Sequence, residues 1–226
     1  MAKPAPSFKE AARAQGSMLA PLEKKCLAWL AAHMPQWVNS DHLTALGLTA
    51  LLVAGLAYWQ SRYDRRALLV VIVCLAVNWF GDSLDGTLAR FRNRQRPRYG
   101  FYVDHIVDCF GALFLLGGLA LSGFMSPAIA IGLLVVFLML SIEVYLATYT
   151  LGKFEISIAK FSPTELSILL AIGNIALFYK PVVKIMGESY LMFDVGGAVG
   201  IAGMSAMLLF SVIRHTVALY RAEPLR

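Results

Sequence analysis

ALLVVIVCLAVNWFGDSLDGTLAR, residues 67–90, decides the fold class, because it opens as a membrane span and ends in acid. From Ala67 to Phe80 it is apolar apart from Asn78, and Asp82 and Asp85 then follow with no break between them and the span. A helix crossing hydrocarbon needs about 20 mostly apolar residues, so the two carboxylates fall at the end of a transmembrane helix. Ionisable groups there are costly to desolvate and call for a functional reason.

Five further stretches have similar length and apolarity, near residues 42–60, 101–122, 127–150, 164–180 and 193–213. The whole chain of 226 residues is 58% hydrophobic and 15% charged, with a mean hydropathy of +0.66, which excludes a single soluble domain. The expectation is an all-α polytopic membrane protein, with six transmembrane helices and an N-terminal amphipathic surface helix. Residues 1–17 read as a loosely ordered cytoplasmic tail without the apolar core of a signal peptide. Residues 18–38 read as the interfacial helix, with Leu19, Leu22, Cys26, Leu27, Trp29 and Leu30 near one side and Glu23, Lys24 and Lys25 on another. Residues 39–226 form the six-helix catalytic domain, its first span capped by Asn39, Ser40 or Asp41. Cys26, Cys74 and Cys109 have no metal-ligand spacing and read as packing residues.

The net charge is +6. With a cytoplasmic N-terminus, fifteen Lys and Arg lie inside, and only Arg62, Arg65, Arg66, Lys180 and Lys184 lie outside. That asymmetry places both termini, and the acidic helix end, in the cytoplasm. A basic inner face suits anionic lipid headgroups, so no nucleic-acid partner is needed to explain the charge. A bacterial inner (plasma) membrane is the expected location.

The third span opens at Gly100 and carries Asp104, His105 and Asp108 before turning apolar. Residues three or four apart share a helix face, so Asp82 with Asp85, and Asp104 with Asp108, form two pairs on consecutive antiparallel helices. Four carboxylates brought together repel strongly unless cations neutralise them, and hard oxygen ligands suit Mg²⁺, Mn²⁺ or Ca²⁺. Two such ions would orient and neutralise phosphate groups. Gly86 lets a substrate approach the backbone, Ala89 keeps the same face narrow, and Arg90 can grip a phosphate bidentately. Asn78 lies one turn before Asp82, either as a substrate contact or as a helix-packing amide.

Asp82-x-x-Asp85-Gly86-x-x-Ala89-Arg90, followed by Gly100-x-x-x-Asp104-x-x-x-Asp108, resembles the signature of the CDP-alcohol phosphotransferase (phosphatidyltransferase) superfamily, with all eight positions present. Nine residues separate Arg90 from Gly100, one more than usual. Thr44 and Gly47 match the Thr-x-x-Gly of the family's first span, while Ser40 and Asp41 stand where Pro and Asn are common.

The resemblance implies attack of an alcohol on the β-phosphorus of a CDP-linked donor, with release of CMP. It implies Asp82, Asp85 and Asp104 as metal ligands for Mg²⁺ or Mn²⁺, and Asp108 as a ligand and candidate base. The donor would sit near Asp82, Asp85, Gly86, Ala89, Arg90 and Gly100, with Thr44 as a further contact. The acceptor would be an alcohol or a lipid, and a homodimer is plausible by the same resemblance.

Asp104-His105 within Gly100-Phe-Tyr-Val-Asp104-His105 is similar to the choline and ethanolamine phosphotransferase branch, which makes His105 a second candidate base. Tyr149-Thr-Leu-Gly152 and Pro163-Thr-Glu165 echo the same branch. Glu143 and Glu165 are candidate acceptor contacts, or carboxylates placed at helix ends. Lys153 and Lys160 either bind an acceptor phosphate or mark the cytoplasmic side, and among the arginines from Arg90 to Arg98 only Arg90 is singled out. Gly196, Gly197, Gly200 and Gly203 form a small-residue stripe for close packing inside the bundle. A divalent-metal transporter is the competing reading, since it too places carboxylates in spans, but the broken-helix repeats expected of one are not found.

Overall fold

The structure, a computed structural model, describes residues 20–151 and 163–223. The tail at 1–17, the start of the interfacial segment, Lys153 and Lys160 lie outside the described residues, as does Gly152 of the branch echo. The chain runs as α1 (Ala20–His33), α2 (Ser40–Ser61), α3 (Ala67–Phe91), α4 (Pro97–Ser122), α5 (Pro127–Leu151) and α6 (Pro163–Tyr179). A hairpin of β1 (Val182–Ile185) and β2 (Glu188–Leu191) follows, and then α7 (Met192–Ala222). Five helices, α2 to α5 and α7, are long and apolar enough to cross a membrane, and α6 is a shorter apolar helix. The protein is therefore an all-α polytopic membrane protein.

Asn39 is the residue that caps α2. Its side chain accepts from the His42 N–H at 3.0 Å, and its own N–H donates to His42 Nδ1 at 3.3 Å, a reciprocal box. α4 begins with Pro97 in its first turn and ends at Gly123, whose φ of 79° closes the helix in the left-handed region. The hairpin, which the apolar pattern does not announce, turns on Met186 and Gly187 at φ 53° and 92°. Two positive φ angles in succession match the twist of a tight hairpin.

Two glycine contacts make α2 the axis of the site. A Cβ on Gly81 of α3 would lie 2.5 Å from the Leu43 carbonyl oxygen, and one on Gly118 of α4 would overlap the Gly55 carbonyl. α2 thus lies directly against both acidic helices, the backbone approach that small residues permit in a bilayer. Above the site, Ala54, Tyr58, Leu68, Val71, Leu119 and Leu177 form the main core. At the other end, α1 lays Leu27 and Ala31 on Leu43, Leu84 and Leu88. Cys26 and Trp29 of the same helix point away from this contact and are exposed. In α7, Gly197 and Gly200 pack against Ile129 and Leu133 of α5, whereas Gly196 and Gly203 face open space. The stripe is thus split between the bundle and its outer surface.

Candidate active site

Asp82 on α3 and Asp104 and Asp108 on α4 come together: one carboxylate oxygen from each lies within 4.8 Å of the others. The spacing that puts Asp104 and Asp108 on one face of α4 explains their pairing, and the shared contact with α2 brings Asp82 to meet them. Three anionic groups at that separation are unfavourable without a cation, and carboxylate oxygens are the donor set hard divalent ions prefer. The residues present therefore fit a divalent metal.

Asp85 lies close to Asp82 and Asp104 but is tied to α2. Its Oδ2 accepts the Thr44 hydroxyl at 2.6 Å, its Oδ1 accepts the Gly86 N–H, and its carbonyl accepts the Ser40 hydroxyl at 2.8 Å. Ser40 thus has a specific partner at a position where the family resemblance led to an expectation of proline. Asp41, the neighbouring departure, pairs with Arg96, whose guanidinium also lies 4.1 Å from the Tyr99 ring centroid.

Arg90 folds back over the bare backbone of Gly86: a Cβ there would lie 3.4 Å from Arg90 Nη1, and Arg90 Nη2 donates to the Thr87 hydroxyl at 3.3 Å. The exposed guanidinium beside an uncovered helix turn is a ready phosphate contact. Asn78 belongs to this face, since a Cβ on Gly47 would meet Asn78 Oδ1 at 3.3 Å and the Asp82 nitrogen at 3.7 Å. Ala89 is partly buried one turn beyond Asp85, and Gly100, exposed, lies in the first turn of α4.

His105 lies beside the cluster, its Nδ1 3.7 Å from Asp104 Oδ2. Its ring packs against Phe101, at a centroid distance of 4.1 Å, and against Tyr145 of α5, at 4.7 Å. Glu143 is engaged by His215 of α7, the two side chains hydrogen-bonding at 2.5 Å. Glu165 lies in the first turn of α6, next to Thr164, whose hydroxyl donates to Glu23 of α1 at 2.7 Å while accepting from Trp79 Nε1 at 3.1 Å.

Sequence reasoning missed Tyr145, His215, Ser40 and Arg92. The last sits at the end of α3, and its guanidinium donates to the carbonyls of Met34 and Pro35 at 2.9 Å each and to that of Val38. An arginine in a basic run carries no mark of such a role. For Tyr145 and His215 a signal did exist, namely a polar group inside an otherwise apolar span.

The sequence profile of the CDP-alcohol phosphatidyltransferase family matches residues 37–215. No curated protein matches the chain. Members of the family are transferases of substituted phosphate groups that serve phospholipid synthesis, combining CDP-alcohol donors with alcohol acceptors at membranes, and they use divalent metals. The matched region takes in α2 to α5 and most of α7 and contains the aspartate cluster, and the chain belongs to the CDP-alcohol phosphatidyltransferase family.

Proposed function

We propose that the protein catalyses attack of an alcohol hydroxyl on the β-phosphorus of a CDP-linked donor at the cytoplasmic face of a bacterial inner membrane. A new oxygen–phosphorus bond forms, the bond from that phosphorus to the CMP oxygen breaks, and CMP leaves. The convergence of Asp82, Asp104 and Asp108 within 4.8 Å carries this reading. Bound between these carboxylates and Asp85, two divalent ions, Mg²⁺ or Mn²⁺, would supply charge neutralisation for the diphosphate.

The chain's own groups do the rest. Gly86 leaves space for the diphosphate and Arg90 grips it, while Ala89 keeps the same helix face narrow and Gly100 leaves the start of α4 open to the donor. Thr44 holds Asp85 in place from α2, and Asn78 bounds the same face. The proton of the attacking hydroxyl goes to Asp108, a member of the cluster, or to His105 beside it; a ligating carboxylate is the weaker base, which favours the histidine. Glu165 would contact the acceptor at the mouth of the site. The interfacial segment, α1 and the turn after it through residue 38, would lie at the membrane surface with Trp29 and Trp37 exposed, and two copies would form a homodimer.

The test is CMP release by purified protein over a panel pairing CDP-diacylglycerol with small polar alcohols, and CDP-headgroups with diacylglycerol. Mg²⁺ and Mn²⁺ should support the reaction and EDTA should abolish it. Absence of metal-dependent CMP release from every pairing would refute the reading.

A further inference from the structure

We propose that Tyr145 is a positioning residue for the transfer, holding the His105 imidazole against the aspartate cluster from the neighbouring helix. The inference rests on the reaction proposed above and adds a residue that lies outside the family signature.

α4 alone does not fix His105. Its side chain leaves a helix whose carboxylates face α2 and α3, and an imidazole on two torsions has several rotamers open to it. The structure limits them on two adjacent sides. Phe101, one turn earlier on α4, stacks at 30° to the imidazole with centroids 4.1 Å apart. Tyr145, from α5, meets it at 60° and 4.7 Å, and the Tyr145 and Phe101 rings lie 6.4 Å apart, edge to face. The two edge-to-face contacts of Tyr145 are favoured aromatic geometries. The Tyr145 hydroxyl has Ser141 and Cys109 as hydrogen-bond partners and lies within electrostatic range of Asp108. One side chain of α5 thus packs on one of the two residues that could take the alcohol proton and lies near the other. Loss of about 1 Å in the placement of a reacting group lowers turnover severely, so a wall of this kind acts on rate more than on donor binding.

Tyr145→Leu removes the ring, and Tyr145→Phe keeps it. In the CMP-release assay Tyr145→Leu should lower kcat about tenfold with the donor KM changed by less than about twofold, while Tyr145→Phe stays close to wild type. A spectroscopic reading is independent of turnover. The chain has four histidines, so the His105 ring resonance can be assigned by its loss in His105→Ala; it should move in Tyr145→Leu and remain in place in Tyr145→Phe. A donor KM that rises in step with the loss of kcat, a Phe variant as impaired as Leu, or an unmoved His105 resonance in Tyr145→Leu would each overturn the proposal. An inactive wild type would instead defeat the underlying reaction, leaving the resonance to report on the His105 contact alone.

Discussion

The Thr44 hydroxyl donates to Asp85 Oδ2 across 2.6 Å and ties the first turns of α2 to the acidic end of α3. One motif aspartate is thereby held by a side chain about 40 residues earlier in the sequence, while its three counterparts converge without it. Thr44→Val preserves shape and removes the donor, leaving a partly buried carboxylate oxygen short of one hydrogen bond. Such a loss amounts to about 1–3 kcal/mol, so kcat/KM for CMP release should fall roughly tenfold or more. Thr44→Ser should restore most of it, and a Thr44→Val enzyme with wild-type kcat/KM would show that the bond is dispensable.

The split between Asp85 and the other three aspartates leads to a second expectation. Asp82→Asn, Asp104→Asn and Asp108→Asn each remove a charge from the convergent set and should weaken Mn²⁺ binding, read by titration calorimetry or paramagnetic resonance, about 10- to 100-fold. Asp85→Asn, with its carboxylate engaged by Thr44 and Gly86, should weaken it less. Equal losses at all four positions would mean that Asp85 turns into the cluster when the ion arrives.

Close approach of α2 to α4 is the third point at which structure and stability meet. A Cβ on Gly118 would overlap the Gly55 backbone, whereas one on Gly117 would meet nothing within 4 Å. Gly118→Ala should therefore lower the unfolding temperature in detergent, since the overlap is with backbone that cannot step aside, and cost about 1–3 kcal/mol. Gly117→Ala should leave stability unchanged or raise it slightly, because alanine favours the helix. Identical melting of both variants would show that the helices can separate freely.

Much of this was legible before any coordinates. The apolar runs locate the helices, and the acidic residues at three- and four-residue spacing on α3 and α4 mark the site, because both signals depend only on local periodicity. A cap at Asn39, Ser40 or Asp41 follows from local chemistry in the same way, and the structure selects Asn39. Legibility fails where the partner comes from a distant helix. Glu143 was open as an acceptor contact, and its bond to His215 depends on how α5 and α7 pack. The division of labour between Asp85 and Asp82 depends on α2 lying against both acidic helices. The β1–β2 hairpin, with four residues in each strand, is too short to carry a periodic signal.

The Glu143–His215 bond gives a fourth expectation. Both side chains are largely buried inside spans, and polar bonds between membrane helices contribute about 0.6–2 kcal/mol. Glu143→Leu and His215→Phe should each destabilise the protein in detergent, and the double variant should melt above the sum of the two losses. A coupling of zero in that cycle would mean that the two groups act separately.

Arg92 supplies the last and most local test. The basic run from Arg90 to Arg98 looks uniform as sequence, yet Arg92 reaches back to the carbonyls of Met34, Pro35 and Val38, at the end of α1 and in the turn leading to α2. A planar guanidinium answers several of those carbonyls at once in a way an ammonium cannot. Arg92→Lys should therefore behave nearly as Arg92→Ala, loosening α1 from Leu84 and Leu88. The effect should appear as faster hydrogen exchange or limited proteolysis within Ala20–His33. Arg94→Ala, which removes an exposed side chain in the same run, should leave that exchange unchanged. If Arg92→Lys protects α1 as well as the wild type does, positive charge alone holds the turn.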